Sequence, residues 1–364
     1  MSIYRNFNIQ PATSLESSDI VTNVKDTVSS GMWANNAGSI TTFYTSSTQY
    51  TNTGDYYIDM YSANPQSDST AQSQFSIAYG HLEGSGSSGA IGVDGNRHSA
   101  TIYNQLSQIL LGPNQKQFTF AGTVKPKYVY AISVARQQLR EKMDPGNWEL
   151  HVSGSGSGSG DTGHPSGLLK FIDDSGATTS PEVNQGGRVF NIVSGSIVSG
   201  KAITKTEAAS QPGGGYGLFY PDLGILIFNG PVLNASASLG FDAESTPTGS
   251  TNLRSNVDGN NNIKFSAAIH SGSKFQARRE EVITSQHYFC RVPNREYNFS
   301  SNPTFSSGSD GAFTVPTFYK NPKTFITQVG LYNDNNELLA IAKLSKPLLK
   351  SYSREAIIKV KLDF

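Results

Sequence analysis

The C-terminal stretch constrains the fold more than any other part of the chain. Two apolar runs, residues 324–332 and 337–344, flank the cluster Asn333-Asp334-Asn335-Asn336. Asn and Asp tolerate the positive φ angles of tight turns, so this pattern predicts a β-hairpin. In the last run, apolar side chains occupy the even positions from Ile358 to Phe364, and polar side chains lie between them. This period of two predicts a final strand with one buried and one exposed face.

The composition is that of a β-rich protein with many turns. Only 15% of the 364 residues are charged, against roughly 25% in an average globular protein, and 36 are glycines. Ser, Thr, Asn and Gln supply the polar surface instead. The formal net charge is zero, so the chain as a whole has no electrostatic attraction for nucleic acid or an anionic membrane. We therefore expect no nucleic-acid partner.

The succession of apolar segments predicts an α+β fold, mainly antiparallel β, with β-sandwich-like domains and about three short helices. The first helix is predicted over residues 14–30, where apolar side chains recur mostly every four positions, at Leu15, Ile20, Val24 and Val28. The second begins at Ser99 and is stopped by Gly112-Pro113. The third is predicted over residues 135–143, closed by a turn at 144–147.

The length of the chain predicts two or three domains. We expect an extended N-terminal arm, a mixed helix/β domain, a β-rich middle region with long polar loops, and a C-terminal β-sandwich or attachment module, over residues 1–13, 14–152, 153–280 and 281–364. The alternating Ser-Gly tract at 153–160 is predicted to lie at the tip of a hairpin, because residues 148–152 and 168–172 have the composition of its two strands.

Motifs for cofactors and metals are weak in this sequence. Residues 84–89 have the three spaced glycines of a dinucleotide loop, but residues 90–95 cannot open the helix that must follow, so a flexible loop is predicted. None of the six histidines lies three or four positions from another, so local zinc-ligand spacing is absent, while ligation by histidines distant in sequence stays open. Residues 333–337 lack the glycine and final Glu of a calcium loop. We expect no cofactor, no metal and no enzymatic activity.

The single cysteine, Cys290, excludes an intrachain disulfide and is predicted to be a buried apolar thiol rather than a nucleophile. No run of about 20 apolar residues is present, which predicts no membrane span. The first residues also lack the apolar core of a signal peptide.

Three stretches carry a resemblance to a known group of proteins. Residues 329–333 (VGLYN) followed by 339–344 (LAIAKL) resemble a hairpin that recurs in virion proteins of tailed bacteriophages. That hairpin is similar both to baseplate-attachment domains of tail fibres and to structural proteins of large contractile-tailed phages. Residues 294–298 (NREYN) with 302–305 (NPTF), and residues 216–224 (YGLFYPDLG), resemble further marks of the same group.

The resemblance implies a non-enzymatic structural component of the virion, in the tail baseplate or tail attachment region, that acts by protein–protein assembly. Its partners would be other virion proteins and further copies of itself, and it would be synthesised in the host cytoplasm before joining the virion tail. The residues expected to make assembly contacts are Tyr4, Arg5 and Phe7 in the arm, and Arg295, Tyr297 and Phe299 in the second stretch.

Three alternatives remain open at this point. Within the structural class, the chain is a neck or head-surface protein. Outside it, the chain is a carbohydrate-binding or glycan-depolymerising module of the tail surface, because aromatic side chains that could stack on sugars are dense at Phe43, Tyr44, Tyr50, Tyr56, Tyr57 and Tyr61. The third alternative is a β-rich protein from another setting.

Overall fold

The computed structural model describes residues 20–45, 57–84, 98–120, 122–153, 168–177, 181–197, 215–237, 261–299 and 303–364. Within these ranges the helices are α1 (His98–Leu110), α2 (Arg136–Leu139), α3 (Gly230–Ala237) and α4 (Asn261–Gly272). The strands are β1 (Ile20–Gly31), β2 (Ser39–Ile40), β3 (Tyr57–Tyr61), β4 (Ser73–His81), β5 (Tyr128–Val134), β6 (Lys142–Ser153), β7 (Leu168–Asp173), β8 (Glu182–Asn184), β9 (Gly187–Ser194), β10 (Gly217–Tyr220), β11 (Ile225–Asn229), β12 (Phe275–Val292), β13 (Ser306–Ser307), β14 (Ala312–Phe313), β15 (Lys323–Tyr332), β16 (Leu338–Ser351) and β17 (Ala356–Asp363).

The chain divides into two compact units. The larger unit comprises Val28–Glu281. The smaller unit comprises Met1–Thr27 and Val282–Phe364, and its described part begins at Ile20. The chain passes from one unit to the other within β1 and again within β12.

The larger unit is built on one antiparallel sheet with the strand order β12-β6-β7-β9-β10-β11-β5-β4-β3, to which β2 adds beside β12 and β8 beside β9. Strand β5 lies inside this sheet and is apolar at nearly every position, because both of its faces are covered. Tyr130 and Ile132 point into the main core. Val129 and Ala131 point to the opposite face, where they pack with Tyr103 of α1 in a second cluster.

The main core is closed by aromatic contacts between strands that are far apart in the sheet order. The Phe75 ring of β4 lies 5.3 Å from the Phe275 ring of β12, and Trp33 lies 4.8 Å from Phe275. The indole Nε1–H of Trp33 also donates a hydrogen bond of 2.9 Å to the Phe275 carbonyl oxygen. Trp148 of β6 similarly faces Phe219 of β10 at 5.2 Å. The sheet therefore curves around an interior filled by aromatic side chains.

Helix α4 fills part of this interior, although no helix is predicted there. Phe265 lies 4.9 Å from the Tyr130 ring and 5.7 Å from the Phe228 ring, and Ile269 is also buried in the main core. A Cβ atom at Gly272 would lie 2.1 Å from the carbonyl oxygen of His151. The last residue of α4 can therefore approach the β6 backbone only because it is a glycine.

The prediction of an α+β fold dominated by antiparallel sheet is confirmed. The second predicted helix is α1, and the strands on either side of the Ser-Gly tract pair as predicted, with Leu150 of β6 opposite Phe171 of β7. Residues 154–167, between these strands, and residues 85–97, with most of the predicted glycine-rich loop, lie outside the described residues. Among the described helices, none has the length and apolar character that a membrane span requires.

The predicted helix at 14–30 is wrong over its described part, which is strand β1. A spacing of four places side chains on one face of a helix, but four is also an even number and places them on one face of a strand. The segment is rich in β-branched residues, which favour extended backbone, and β12 provides a paired neighbour. Residues 14–19 of the prediction lie outside the described residues.

The predicted helix at 135–143 is also largely wrong. Only the four residues of α2 are helical, and Arg140 then takes a φ of +55°, which ends the helix. The predicted turn at 144–147 lies within β6, at an irregularity of its pairing with β12. Gly146 has a φ of +81° there, and its N–H donates a hydrogen bond of 2.8 Å to Asp173 Oδ2. A turn signal in the sequence here produces a bulge, because strands pair on both sides of it.

The smaller unit has a different construction. Strand β17 pairs with β12, with Val360 opposite Tyr288, while β15 and β16 form a separate two-stranded hairpin and β13 and β14 form another. The predicted hairpin around residues 333–336 is confirmed, and Asn336 has the expected positive φ of 61°. In β17, Ile358 and Val360 are buried as predicted, whereas Phe364 is exposed.

We predict that Phe75→Ala lowers the free energy of unfolding by about 3–5 kcal/mol, because it removes a ring that joins β4 to β12 and leaves a cavity in the main core. Urea denaturation measures this change. Phe364→Ala, at an exposed position, is the control and should change the free energy of unfolding by less than about 0.5 kcal/mol. Equal effects of the two substitutions would contradict the described closure.

Candidate interaction surface

The smaller unit leaves an unusual share of its large apolar side chains exposed. Its buried apolar residues within the described ranges are Val292, Phe318, Ile358 and Val360. The hydrophobic clusters of the described chain lie instead in the larger unit. Most of the exposed large apolar side chains nevertheless belong to residues 282–364. Contiguous exposed apolar surface on a protein marks an interaction site more often than an accident of composition.

The hairpin of β15 and β16, here called the ribbon, carries much of this surface. One face exposes Leu339 and Ile341, and Phe325 is exposed beyond the register shift between Ile326 and Gln328. The other face carries half-buried apolar side chains, among them Val329 opposite Ala342 and Leu331 opposite Ala340. Both faces of the ribbon are therefore apolar, and no third described strand pairs with it. An isolated two-stranded hairpin is at best marginally stable in water, so a ribbon of this kind gains from being covered.

Four phenylalanines form a second exposed feature, here called the aromatic cluster. The Phe305 and Phe318 rings meet edge to face at 4.2 Å, and Phe313 lies 5.3 Å from Phe318. Phe299 joins them at 6.2 Å from Phe305. Phe318 is buried by its neighbours, while Phe299 and Phe313 remain exposed. The cluster is thus too small to bury its own members.

The loop that carries Arg295, Tyr297 and Phe299 is held by a buried lysine. Lys350 of β16 is fully buried, and its Nζ donates hydrogen bonds to the carbonyl oxygen of Asn294 at 3.0 Å and to Asn298 Oδ1 at 3.2 Å, with a third to the Ser351 carbonyl oxygen at 3.1 Å. These three acceptors match the three donors of an ammonium group. Burial lowers the pKa of Lys350, and the nearby carboxylates of Glu355 and Glu296 act in the opposite direction.

Two further hydrogen bonds fix the same loop. Asn298 Nδ2 donates to the Asn294 carbonyl oxygen at 2.7 Å, and Thr324 Oγ1 donates to the Tyr297 carbonyl oxygen at 2.7 Å. Tyr297 itself has a φ of +54°, which is uncommon for a side-chain-bearing residue. The backbone of the loop is therefore tied to the ribbon strands while its side chains face outward. Arg295, Tyr297 and Phe299 are all exposed, as a contact with a partner requires.

The other stretches singled out in the sequence lie elsewhere. Tyr4, Arg5 and Phe7 lie outside the described residues. The stretch at 216–224 forms β10 and the turn to β11 in the larger unit, where Phe219 and Tyr220 are fully buried. At its turn, Asp222 accepts hydrogen bonds from the Arg188 N–H and guanidinium, each at 3.0 Å, which lower the pKa of Asp222 despite its partial burial. This stretch serves the core rather than a surface.

Among the described side chains, the group around Glu149 of β6 most resembles a catalytic site. Glu149 itself is almost fully buried. Its carboxylate contacts His151 Nε2 at 2.5 Å and Lys274 Nζ at 3.1 Å, and accepts hydrogen bonds from Ser196 Oγ at 2.9 Å and the Ile197 N–H at 2.8 Å. Burial raises the pKa of Glu149, but these hydrogen bonds outweigh it and lower that pKa overall. The Ser196 hydroxyl donates to this carboxylate, whose lowered pKa makes it a weak base toward that hydroxyl. The group ties β6 to the segments that end β9 and begin β12.

Of the aromatic residues considered for sugar binding, Tyr57 and Tyr61 lie at alternate positions of β3, and Tyr61 pairs with Tyr44 through two backbone hydrogen bonds of 2.8 Å. Phe43 is buried in the main core, whereas Tyr44 and Tyr57 are exposed. Tyr50 and Tyr56 lie outside the described residues. Asp59, on the same strand as Tyr57, accepts a hydrogen bond from Ser76. A glycan-cleaving site would need a second carboxylate facing Asp59.

Nothing in the described part of the chain supports metal binding or thiol chemistry. No group of three or more His, Cys, Asp or Glu side chains with metal-binding geometry occurs there. Cys290, predicted to be buried, is only half-buried on β12, where it lies opposite Ile358.

Comparison of the chain with protein-family models, with curated proteins and with solved structures finds no match.

We predict that Lys350→Met opens the loop at 293–299. Asn298 Oδ1 loses its hydrogen-bond donor, and the Asn294 carbonyl oxygen loses one of its two donors. Leaving such buried acceptors unsatisfied costs about 1–3 kcal/mol. Amide hydrogen exchange of this loop should accelerate at least about tenfold relative to the rest of the chain. Lys343→Met, at an exposed position of the same strand, is the matched control, and an equal acceleration there would contradict the proposed anchor.

A second prediction concerns pH. The pKa of Glu149 is lowered from its ordinary value of 4.5 in the folded state, so its network stabilises the protein above pH 4.5 and loses this contribution as the pH falls further. Glu149→Gln should cost about 3 kcal/mol at neutral pH and flatten the loss of stability below pH 4.5. Glu83→Gln, at an exposed position, should follow the wild-type profile in urea denaturation across pH. A wild-type slope in Glu149→Gln would show that other groups carry the acid sensitivity.

Proposed function

We propose that this chain is a non-enzymatic structural subunit of a tailed-bacteriophage particle, and that it acts by protein–protein assembly through its smaller unit. The observation that carries the proposal is the ribbon, a long hairpin that is apolar on both faces and exposes Phe325, Leu339 and Ile341. Assembly is the role that such a surface supports, because it gains free energy when another protein covers it.

The energetics favour docking of several elements at once. Burial of a large apolar side chain contributes about 1.5–3 kcal/mol. Association itself costs an estimated 4–15 kcal/mol in lost freedom of motion. A few ribbon side chains therefore offset that cost only in part, and the aromatic cluster with the loop at 293–299 adds the remaining contact area. The loop is held in place before binding by Lys350, so it adds little ordering cost.

The placement in a phage tail rests on the resemblance of residues 329–344 to virion hairpins. These residues form the end of the ribbon that carries its turn, opposite the end where Lys323 pairs with Ser351. We therefore propose the tail baseplate or tail attachment region, with other virion proteins as partners. A neck or head-surface position is the alternative within the same class. The zero net charge agrees with a subunit that packs beside copies without strong repulsion.

The deciding experiment is fractionation of purified particles into heads, tails and baseplates on a gradient, followed by peptide mass spectrometry for this chain. The proposal expects recovery with baseplates or tails at a fixed ratio to other tail subunits. Recovery with heads would keep the structural role and overturn the tail placement. Absence from every particle fraction would overturn the structural role itself and turn attention to binding assays on host glycans.

We further predict that Ile341→Lys reduces incorporation into particles at least about tenfold, because it places a charge in the contact that covers the ribbon. Ile341 and Ile109 of α1 are each 52% exposed, so Ile109→Lys in the larger unit is a matched control that should incorporate normally. Both variants should fold with little change in stability, which circular dichroism checks. Normal incorporation of Ile341→Lys would show that the ribbon is not the docking element.

A further inference from the structure

Lys350 and Asn298 hold an amine and a carboxamide against each other within the smaller unit. Lys350 is fully buried, and Asn298 is only 9% exposed. The Lys350 Nζ atom lies 3.2 Å from Asn298 Oδ1. The carboxamide carbon Cγ is one C=O bond of about 1.23 Å from that oxygen, so it lies no more than about 4.4 Å from Nζ. Reacting atoms are held at about 3–3.5 Å before a bond forms, so a small displacement brings this pair into reacting distance.

The Asn294 carbonyl oxygen fixes the orientation of both groups. It accepts a hydrogen bond from Lys350 Nζ at 3.0 Å and another from Asn298 Nδ2 at 2.7 Å. The second of these bonds turns the nitrogen of the carboxamide toward Asn294 and its oxygen toward the lysine. One acceptor thus holds the amine nitrogen and the carboxamide nitrogen close together.

The surroundings of Lys350 favour its neutral form, which is the nucleophile. Burial lowers the pKa of Lys350, against the opposing effect of the Glu355 and Glu296 carboxylates. The three hydrogen-bond acceptors of Nζ are neutral carbonyl oxygens, so they compensate only in part for the desolvation of an ammonium charge. Loss of one proton puts a lone pair in place of one N–H. A desolvated lysine of this kind is an activated amine nucleophile.

We propose that Lys350 and Asn298 react with each other to form an amide bond between Nζ and Cγ, which joins β16 covalently to the loop at 293–299. Nζ attacks Cγ, the Cγ–Nδ2 bond breaks, and the Nδ2 nitrogen leaves as ammonia. The attacking nitrogen releases one proton, and the departing nitrogen takes up one proton. The reaction is therefore balanced without an oxidant, a reductant or any further reactant.

Two carboxylates act electrostatically on Lys350, those of Glu355 and Glu296. Glu355 accepts a hydrogen bond from Arg291, which lowers the pKa of Glu355 and makes it a weak base. Glu296 lies two residues before Asn298 on the same loop. Glu296 is therefore the carboxylate that transfers the proton from the attacking to the departing nitrogen.

A covalent link suits a unit that buries few apolar side chains. It closes a loop between residues 52 positions apart and so restricts the unfolded chain, as a disulfide does. The link also fixes the loop that exposes Arg295, Tyr297 and Phe299. The inference goes beyond the proposed function, because it concerns the covalent structure of the chain and holds or fails whether or not the chain belongs to a particle.

Intact-mass spectrometry of the full chain, incubated in its folded state and then denatured, tests the reaction. We expect the wild-type chain to be lighter than its sequence mass by one molecule of ammonia. Lys350→Arg keeps a positive charge and hydrogen-bond donors but has no amine nucleophile, so it should keep its full mass, as should Asn298→Ala. Lys343→Arg, at an exposed position of the same strand, is the matched control and should lose ammonia like the wild type. A wild-type chain at its full sequence mass would overturn the proposal.

Tryptic peptide mapping locates the bond. Trypsin cleaves after lysine and arginine but not before proline, so an unlinked chain releases residues 296–320 and 344–350 as separate peptides. The amide removes the charge of Lys350 and blocks cleavage there. The linked chain should therefore yield one branched peptide made of residues 296–320 and 344–354. Loss of ammonia without this branched peptide would place the reaction elsewhere in the chain and overturn the proposal.

The rate of ammonia loss tests the role of Glu296. Glu296→Gln should slow formation of the branched peptide at least about tenfold, because it removes the group that transfers the proton. Glu83→Gln, in the larger unit, should react at the wild-type rate. An unchanged rate in Glu296→Gln would overturn the role of this carboxylate.

Discussion

The contact between Phe75 of β4 and Phe275 of β12 is the interaction on which the larger unit depends. These two strands lie far apart in the strand order, so they can meet only if the sheet curves back on itself. Trp33 adds a third ring and a hydrogen bond to the Phe275 carbonyl oxygen, which orients the closure. Once closed, the sheet encloses a space that α4 and its Phe265 fill. Close packing of this interior stabilises the unit.

The smaller unit, in contrast, is not organised around a packed core. Its apolar side chains are distributed over a ribbon, an exposed loop and a small aromatic cluster, and few of them are buried. Polar anchoring takes the place of a large core: the ammonium group of Lys350 holds the loop at 293–299 through two carbonyl acceptors, those of Asn294 and the Asn298 side chain. Such a surface is stable enough to keep its shape and apolar enough to bind. The larger unit buries its apolar side chains in a packed core, whereas the smaller unit exposes them. This difference is the physical basis of the proposed assembly role.

Local pattern predicted some elements well and others badly, for identifiable reasons. The hairpin around residues 333–336 and the strand β17 follow from turn chemistry and from a period of two, which both act within a few residues. The helix predicted for the segment at 20–30 is wrong because a spacing of four places side chains on one face of a helix and equally on one face of a strand. Helix α4 was missed because its polar first residues continue a polar stretch, and its apolar face is defined only by Tyr130 and Phe228.

The sequence by itself determined that the chain is rich in antiparallel strands and that it carries a hairpin before its last strand. These properties depend on the conformational preferences of neighbouring residues. Only the tertiary structure decided that Phe265 is buried while Phe325 is exposed, and that Lys350 is buried. Burial depends on contacts between residues far apart in the chain, and one-dimensional periodicity carries no record of those contacts.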